Sequence, residues 1–190
     1  MHILILIGPP GSGKSTLSAH LQQLGYHAVS TGNLLRHAAK SNPALAEQLA
    51  TGSLTDDQTI TDLLRTALEG QTKVLLDGYP RTLPQVSMLQ DAFPGAEIRA
   101  LELQVSDSLA LSRVALRAEK TGHSRPEDRP EVAASRLAVF HRQTDQAASA
   151  YKKAGTLLSI DASGSAEEVE RLAVQRLAVQ RLASAALSEL

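Results

Sequence analysis

The stretch "HILILIGPPGSGKST", which runs from His2 to Thr16, is the most informative part of this chain. The apolar residues 3–7 are typical of a buried strand, and glycines and prolines separate them from a helical pattern that begins near Lys14. The segment Gly8–Thr16 fits the spacing G-x-x-x-x-G-K-[ST], with a strand before it and a helix after it as this motif requires. The stretch therefore predicts a loop that cradles the phosphates of a nucleoside triphosphate.

Each residue type in this loop has a chemical role. Glycines allow successive backbone N–H groups to point inward, and the following helix presents its positive end to the anion. Lys14 can reach the β and γ phosphates, and the hydroxyl of Ser15 can contact Mg²⁺ directly. The alternative is a plain glycine- and proline-rich turn, which would not need the full spacing. The expected triphosphate contacts are Gly11, Ser12, Gly13, Lys14, Ser15 and Thr16.

Short β-rich runs alternate with longer helical stretches along the rest of the chain. The predicted strands are residues 2–7, 27–30, 73–77, 98–105 and 156–160. This alternation is typical of a parallel sheet with helices on both faces. Gly25 marks a helix end, and Asn42-Pro43 and "SAEE" at 165–168 mark helix starts. We predict an α/β fold in a single domain spanning residues 1–190.

Bulk composition excludes several classes of protein. The chain has 190 residues, a formal net charge of -1 and no cysteine. Its interspersed charges provide no basic stripe for nucleic acid, and the lack of cysteine excludes disulfides and thiolate zinc sites. The apolar opening is too short for a signal peptide or a membrane span. We expect a cytoplasmic protein with no nucleic-acid or membrane partner.

A second informative stretch is "KVLLDGYPRTLPQ", from Lys73 to Gln85. Asp77 ends a predicted strand, and in a parallel sheet its carboxylate would face the nucleotide and could hold Mg²⁺ through water. Gly78 allows close backbone approach, and Arg81 offers a planar fork for a phosphate. Gln85 carries an amide that both donates and accepts, as recognition of a base edge requires. Together with the phosphate loop, these residues predict the acceptor half of a nucleotide kinase.

Six motifs then identify a resemblance to the adenylate kinases, which extends from the phosphate loop to about Val169. The motifs occur in the family's order and are "STGNLLR" (30–36), "GSLTDD" (52–57), "LLDGYPRTLPQ" (75–85), "SRVALRAE" (112–119), "SRPEDRPEVAASRL" (124–137) and "IDASGS" (160–165). The resemblance implies a doubly wound parallel five-stranded sheet of P-loop NTPase type, with an NMP-binding insertion at about 30–55 and a short lid at about 117–128. It implies reversible Mg²⁺-dependent phosphoryl transfer from ATP to AMP, giving two ADP. We expect a monomer without zinc.

The resemblance also assigns roles to individual residues. Those implied to bind AMP are Thr31, Arg36, Ser53, Leu54, Thr55, Gly78, Tyr79, Pro80, Arg81, Gln85, Arg125 and Arg136. Arg113 is implied to stack on the adenine of ATP, Arg117 to contact its phosphates, and Gly164 to offer its backbone to the adenine. The cations implied to act on the transferred phosphoryl group are Lys14, Arg81, Arg117, Arg125 and Arg136.

Several positions depart from the family pattern. Asn33 stands where the family usually has Asp, and we expect activity to persist despite the lost charge. Two residues, His123 and Ser124, lengthen the lid before Arg125.

Two other functions compete with transfer to AMP. A kinase for UMP or CMP would tend to carry Ala at position 31 and Asn at position 85, so Thr31 and Gln85 favour AMP. A nucleotide-binding regulator without catalysis would not need the whole set of arginines.

The tail contains a five-residue repeat, "RLAVQRLAVQRLA", from Arg171 to Ala183. Each copy would be rotated by about 140° from the last around an α-helix, so one core-facing stripe cannot accommodate all three copies. The repeat indicates either a terminal helix extended by a short duplication or an apolar contact between copies of the chain.

Overall fold

The computed structural model describes residues 1–50, 56–120 and 128–188 of the chain. Its strands are β1 (His2–Ile7), β2 (His27–Ser30), β3 (Lys73–Asp77), β4 (Glu97–Gln104) and β5 (Leu157–Asp161). They form one parallel sheet in the order β2-β3-β1-β4-β5, which confirms the predicted five-stranded α/β fold. β4 begins one residue earlier and β5 one residue later than predicted, because pairing with the neighbouring strands sets where each begins.

Helices cover both faces of this sheet. They are α1 (Lys14–Gln23), α2 (Thr31–Ala39), α3 (Pro43–Ala50), α4 (Asp57–Ala67), α5 (Leu83–Ala92), α6 (Asp107–Lys120), α7 (Pro130–Val139), α8 (Asp145–Lys153) and α9 (Ala166–Ser188). A π-helical turn, Phe140–Thr144, joins α7 to α8. The predicted helix starts are confirmed, because Asn42 Oδ1 accepts from the N–H of Leu45, and Ser165 and Glu168 cap one another reciprocally.

The side chains of β1 alternate between two hydrophobic cores. Ile3, Ile5 and Ile7 pack with residues of α4, α5 and α8, whereas Leu4 and Leu6 pack with residues of α1 and α9. Successive side chains of a strand point to opposite faces, so β1 is buried on both sides at the centre of the sheet. The loop that follows β1 therefore starts from a rigid base.

The strand order brings the two informative stretches together. β1 lies beside β3, and Leu6 pairs in register with Asp77. Because parallel strands end at the same edge of the sheet, Asp77 lies next to the loop that begins at Gly8.

The repeat of the tail lies on α9, the terminal helix. Ala173 is fully buried and Leu172 and Leu177 pack partly against the core, but Val174 and Val179 are 37% and 57% exposed. In the first two copies the valine thus stays exposed while the leucine packs against the core, and the side chains of the third copy lie outside the described residues. None of the helices in the described ranges is long and apolar enough to span a membrane.

Candidate active site

A cavity of about 1390 Å³ opens above the carboxyl ends of the strands. Its walls come from the phosphate loop, α2, the loop after β3, α6, α7 and the start of α9. The predicted residues that line it are Gly11, Ser12, Gly13, Lys14, Ser15, Thr16, Arg36, Asp77, Gly78, Tyr79, Pro80, Arg81, Arg113, Arg117, Arg136 and Gly164. Residues that are far apart in sequence thus share one cavity.

The other predicted residues lie elsewhere. Thr31 is buried, with its Oγ1 3.5 Å from the carbonyl oxygen of Asp77. Gln85 is 9% exposed and lies in the first turn of α5. Ser53, Leu54, Thr55 and Arg125 lie outside the described residues.

The phosphate loop is tightly packed from below. Gly11 has φ 83°, and a Cβ there would collide with the carbonyl oxygen of Ala110. Ser12 is almost fully buried, and its Oγ has no hydrogen-bond partner among the described residues. Because buried hydroxyls are normally paired, the unpaired Ser12 Oγ is suited to an anion in the loop.

Lys14 lies under the loop. Its Nζ donates to the carbonyl oxygens of Gly8 and Pro9, at 2.6 and 2.9 Å. Burial lowers the pKa of Lys14 to about 8; Asp77 opposes this change, and three arginines add to it. A phosphate in the loop would stabilise the ammonium that burial now destabilises.

Arg81 is held over the loop that follows β3. Its Nε donates to the carbonyl oxygen of Gly78 at 2.7 Å. Gly78 has φ 91°, and a Cβ there would lie 2.9 Å from Thr31 Oγ1 and 3.0 Å from Arg81 Nη2, so glycine is required. Although Arg81 keeps contact with solvent, desolvation of its guanidinium lowers its pKa, and the nearby Arg136 lowers the pKa further. The site is thus strongly cationic around Asp77.

The side-chain amide of Gln85 joins two elements. Its Oε1 accepts from the backbone N–H of Arg81 at 2.7 Å, and its Nε2 donates to Asp57 Oδ1 at 2.7 Å. Sequence reasoning missed Asp57, because an acid at the start of a helix is ordinarily explained by the helix dipole. Tyr79, in the loop after β3, is buried, and its hydroxyl lies 2.9 Å from Thr61 Oγ1.

Two arginines of α6 are positioned by contacts across the cavity wall. Arg113 donates to the carbonyl oxygens of residues 162, 163 and 164, at 2.7 to 3.0 Å. These bonds lie along the edge of the guanidinium and leave its planar faces suited to stacking. Arg117 forms a bidentate ion pair with Asp128, at 2.8 and 2.5 Å, and the Asp128 side chain is fully buried. The sequence does not indicate this partner for Arg117.

On the α2 side of the cavity, Arg36 Nη2 donates to Asn33 Oδ1 at 2.6 Å. The neutral amide therefore positions Arg36 without neutralising its charge, whereas an aspartate would have formed an ion pair there.

Part of the cavity wall was not predicted. Ser135, Val139, Phe140 and Thr144 line it from α7 and the π-helical turn. A π-helical turn differs from an α-helix only in its hydrogen bonding, and the apolar period alone does not reveal it. Within the described ranges, no three histidine, aspartate or glutamate residues are grouped so that they could hold a metal ion by themselves.

The chain is similar to a family of known proteins. The model of the family described as adenylate kinase matches residues 6–156. A protein named adenylate kinase from Xylella fastidiosa (strain M23) is 35% identical over 183 residues, which cover 90% of this chain and 97% of the relative. Adenylate kinases from Parvibaculum lavamentivorans and Thermus thermophilus are each 34% identical, over 87% of this chain and 87% and 91% of the relatives.

Proposed function

Because the chain belongs to the adenylate kinase family, we propose that the cavity above its sheet is where ATP and AMP meet. The chain is a nucleoside monophosphate kinase that transfers a phosphoryl group reversibly from ATP to AMP, giving two ADP; a UMP or CMP kinase is not favoured. The observation that carries the proposed site is the convergence of cations on one cavity beside Asp77. These cations are Lys14, Arg81, Arg117 and Arg136.

We assign ATP to the side of the cavity formed by the phosphate loop and α6. Its phosphates would bind the backbone N–H groups of the loop, the Oγ of Ser12 and the ammonium of Lys14. Arg113 would stack on the adenine, the backbone of Gly164 would contact it, and Arg117 would contact the phosphates. The full set on this side is Gly11, Ser12, Gly13, Lys14, Ser15, Thr16, Arg113, Arg117 and Gly164.

We assign AMP to the side formed by α2 and the loop after β3. Arg36 and Arg81 would bind its phosphate, and Gln85 would bind its base. Gly78, Tyr79 and Pro80 would form the wall beside the acceptor, and Thr31, which is buried behind that wall next to Asp77, stays a predicted AMP contact. Ser53, Leu54 and Thr55 stay predicted AMP contacts. Arg125 and Arg136 stay predicted contacts of AMP and of the phosphate in transit between the two nucleotides.

The residues present fit a magnesium ion that arrives with the nucleotide. Adenylate kinases use Mg-ATP, and Mg²⁺ usually keeps several waters while binding phosphates and one or two protein oxygens. The cavity offers such a donor set in the hydroxyl of Ser15 and the carboxylate of Asp77. We propose that Ser15 binds the ion directly and that Asp77 holds it through water. When bound, Mg²⁺ would neutralise charge on the phosphates.

The chemistry depends on alignment and positive charge. Transfer between two nucleotides brings two polyanions together and needs no covalent intermediate. Lys14 would exchange its two carbonyl partners for phosphate oxygens, while Arg81 and Arg136 stabilise the group in transit. No dedicated general base is required.

Two insertions are proposed to close over the substrates. They are the NMP-binding segment at about 30–55 and the short lid at about 117–128, and their closure would exclude water as a competing acceptor. The monomeric state and the cytoplasmic location stay predictions.

A coupled assay with Mg-ATP and each monophosphate tests the proposal. We expect ADP formation with AMP and much slower formation with UMP or CMP. A chain that formed no ADP above background with AMP would refute the assignment. Arg136→Ala is expected to abolish most of the activity, whereas Arg142→Ala removes a neighbouring exposed arginine outside the cavity wall and serves as the matched control.

A further inference from the structure

The side-chain amide of Gln85 is held at both ends, by groups of opposite character. Oε1 accepts from the backbone N–H of Arg81, which can only donate, at 2.7 Å. Nε2 donates to the carboxylate of Asp57, which when ionised can only accept, at 2.7 Å. The amide therefore has one chemically consistent orientation, because a half-turn about its last torsion would place oxygen against oxygen and N–H against N–H.

Both partners of the amide are anchored. The N–H of Arg81 belongs to the backbone between β3 and α5. Asp57 is the first residue of α4, and its carbonyl oxygen accepts from the hydroxyl of Thr61 at 2.8 Å. The same hydroxyl lies 2.9 Å from the buried Tyr79 hydroxyl, so the start of α4 is tied to the loop after β3. The orientation of Gln85 is therefore held by two separate parts of the fold.

Fixing the amide also fixes what it can offer to a ligand. A glutamine amide has two N–H groups and two acceptor sites on its oxygen. Among the residues that the structure describes, one N–H and one acceptor site of Gln85 are engaged, so one of each is left, and their positions in space cannot be exchanged. Such an amide distinguishes a ligand that presents a donor and an acceptor in one order from a ligand that presents them in the reverse order.

We propose that Asp57 is a positioning residue that makes the enzyme select 6-amino over 6-oxo purine monophosphates. This inference rests on the proposed function, in which Gln85 faces the base of the acceptor nucleotide. Adenine presents an amine donor at position 6 beside a ring acceptor at N1. Hypoxanthine presents an acceptor at position 6 beside an N–H donor at N1, and it would need the amide turned around. Asp57 opposes that turn.

Asp57→Asn tests this proposal because an asparagine side chain can either accept from or donate to Gln85. The reversed orientation of the Gln85 amide would then be opposed only by the backbone N–H of Arg81, and it would cost less than in the wild type. We expect the ratio of kcat/KM for AMP to that for inosine 5′-monophosphate to fall about tenfold or more, since unpaired polar groups at a binding site discriminate strongly. The change should lie in KM for the monophosphates, with the KM for ATP unchanged.

The chain supplies a matched control one residue away. Asp56 accepts from the N–H of Thr59 at 2.8 Å and caps the same helix, and its described hydrogen bonds go to Thr59 and not to Gln85. Asp56→Asn should leave the preference for AMP unchanged. Asp57→Ser keeps a helix-start residue while removing the carboxylate, and it is assayed for the same fall in preference in case Asp57→Asn does not fold.

A further variant separates this inference from the function on which it rests. If Gln85→Ala lowers the preference for AMP while neither Asp57 variant does, Gln85 contacts the base but Asp57 does not position it, and the inference is wrong. If Gln85→Ala also leaves the preference intact, the proposed base contact itself is wrong. A wild-type enzyme that used both monophosphates equally well would overturn the inference as well.

Discussion

Replacement of Lys14 by methionine is expected to abolish phosphoryl transfer and to alter the pH dependence of stability. The Lys14 ammonium is desolvated beneath the phosphate loop, which lowers its pKa from 10.5 to about 8. The folded chain therefore holds this proton less tightly than the unfolded chain. Lys14→Met removes a charge that function requires and whose burial destabilises the folded chain.

The size of the effect follows from linkage between protonation and folding. Each unit of pKa corresponds to about 1.4 kcal/mol, so the buried ammonium costs the folded state about 3 kcal/mol at pH 7. Above pH 8 the unfolded chain binds more protons at this site than the folded chain, so wild-type stability rises with pH relative to the variant. We therefore subtract the free energy of unfolding of Lys14→Met from that of the wild type. This difference should rise by about 2 kcal/mol between pH 7 and pH 9.5.

Urea unfolding of both proteins at a series of pH values measures this difference. Comparison at equal pH cancels the contributions of groups that the two proteins share. Lys153→Met, which removes an exposed cation from α8, is the matched control, and its pH trend should be much smaller than that of Lys14→Met. If the difference for Lys14→Met were constant across this pH range, the ammonium would be solvated in the folded chain and the reasoning would be refuted.

Three further changes have defined outcomes. Arg81→Ala should lower turnover on the order of 10³-fold in the coupled assay, since it removes a cation from the transferred phosphoryl group, and a loss of only a fewfold would make Arg81 structural. Gly11→Ala should lower the free energy of unfolding by about 3 kcal/mol or more, because its methyl group would collide with the backbone. Gly13→Ala is the control: its methyl group meets open space at a similar φ, and it should cost about 1 kcal/mol. Equal losses of unfolding free energy in urea would contradict this. His141→Gln should lower the melting temperature at pH 5.5 and not at pH 9, with His27→Gln as control, because Asp107 and then Asp145 raise the pKa of His141. That stabilisation is complete below the ordinary value of 6.5 and disappears as pH rises through the raised value, so a loss independent of pH would count against the ion pair.

The features predicted correctly from sequence are those that depend on neighbouring residues. Five strands were predicted to within one residue, because apolar runs bounded by glycine, proline and polar residues are local signals. The start of α3 and the capping box of α9 were likewise readable from short spacings. The phosphate loop belongs to the same class, since its glycine and lysine spacing is itself the signal.

Contacts between distant elements could not be read in the same way. Arg117 is paired with the buried Asp128, and Gln85 with Asp57, 28 residues before it in the chain. Nothing in either segment alone indicates its partner, because the partner depends on how α4, α5, α6 and α7 pack around the sheet. The π-helical turn that lines the cavity also lacks a local signal.

Local chemistry therefore specified the parts of this enzyme: a phosphate loop, a strand ending in Asp77, and a set of arginines and a glutamine with the functional groups that nucleotides require. The order of strands in the sheet brought these parts to one edge, where Leu6 pairs with Asp77 and the cations surround one cavity. The state of each group also depended on packing, since the lowered pKa of Lys14 and the fixed amide of Gln85 arise from burial and from partners on other elements. A sequence pattern specifies which groups are present, but desolvation and hydrogen-bond partners exist only once the chain has folded.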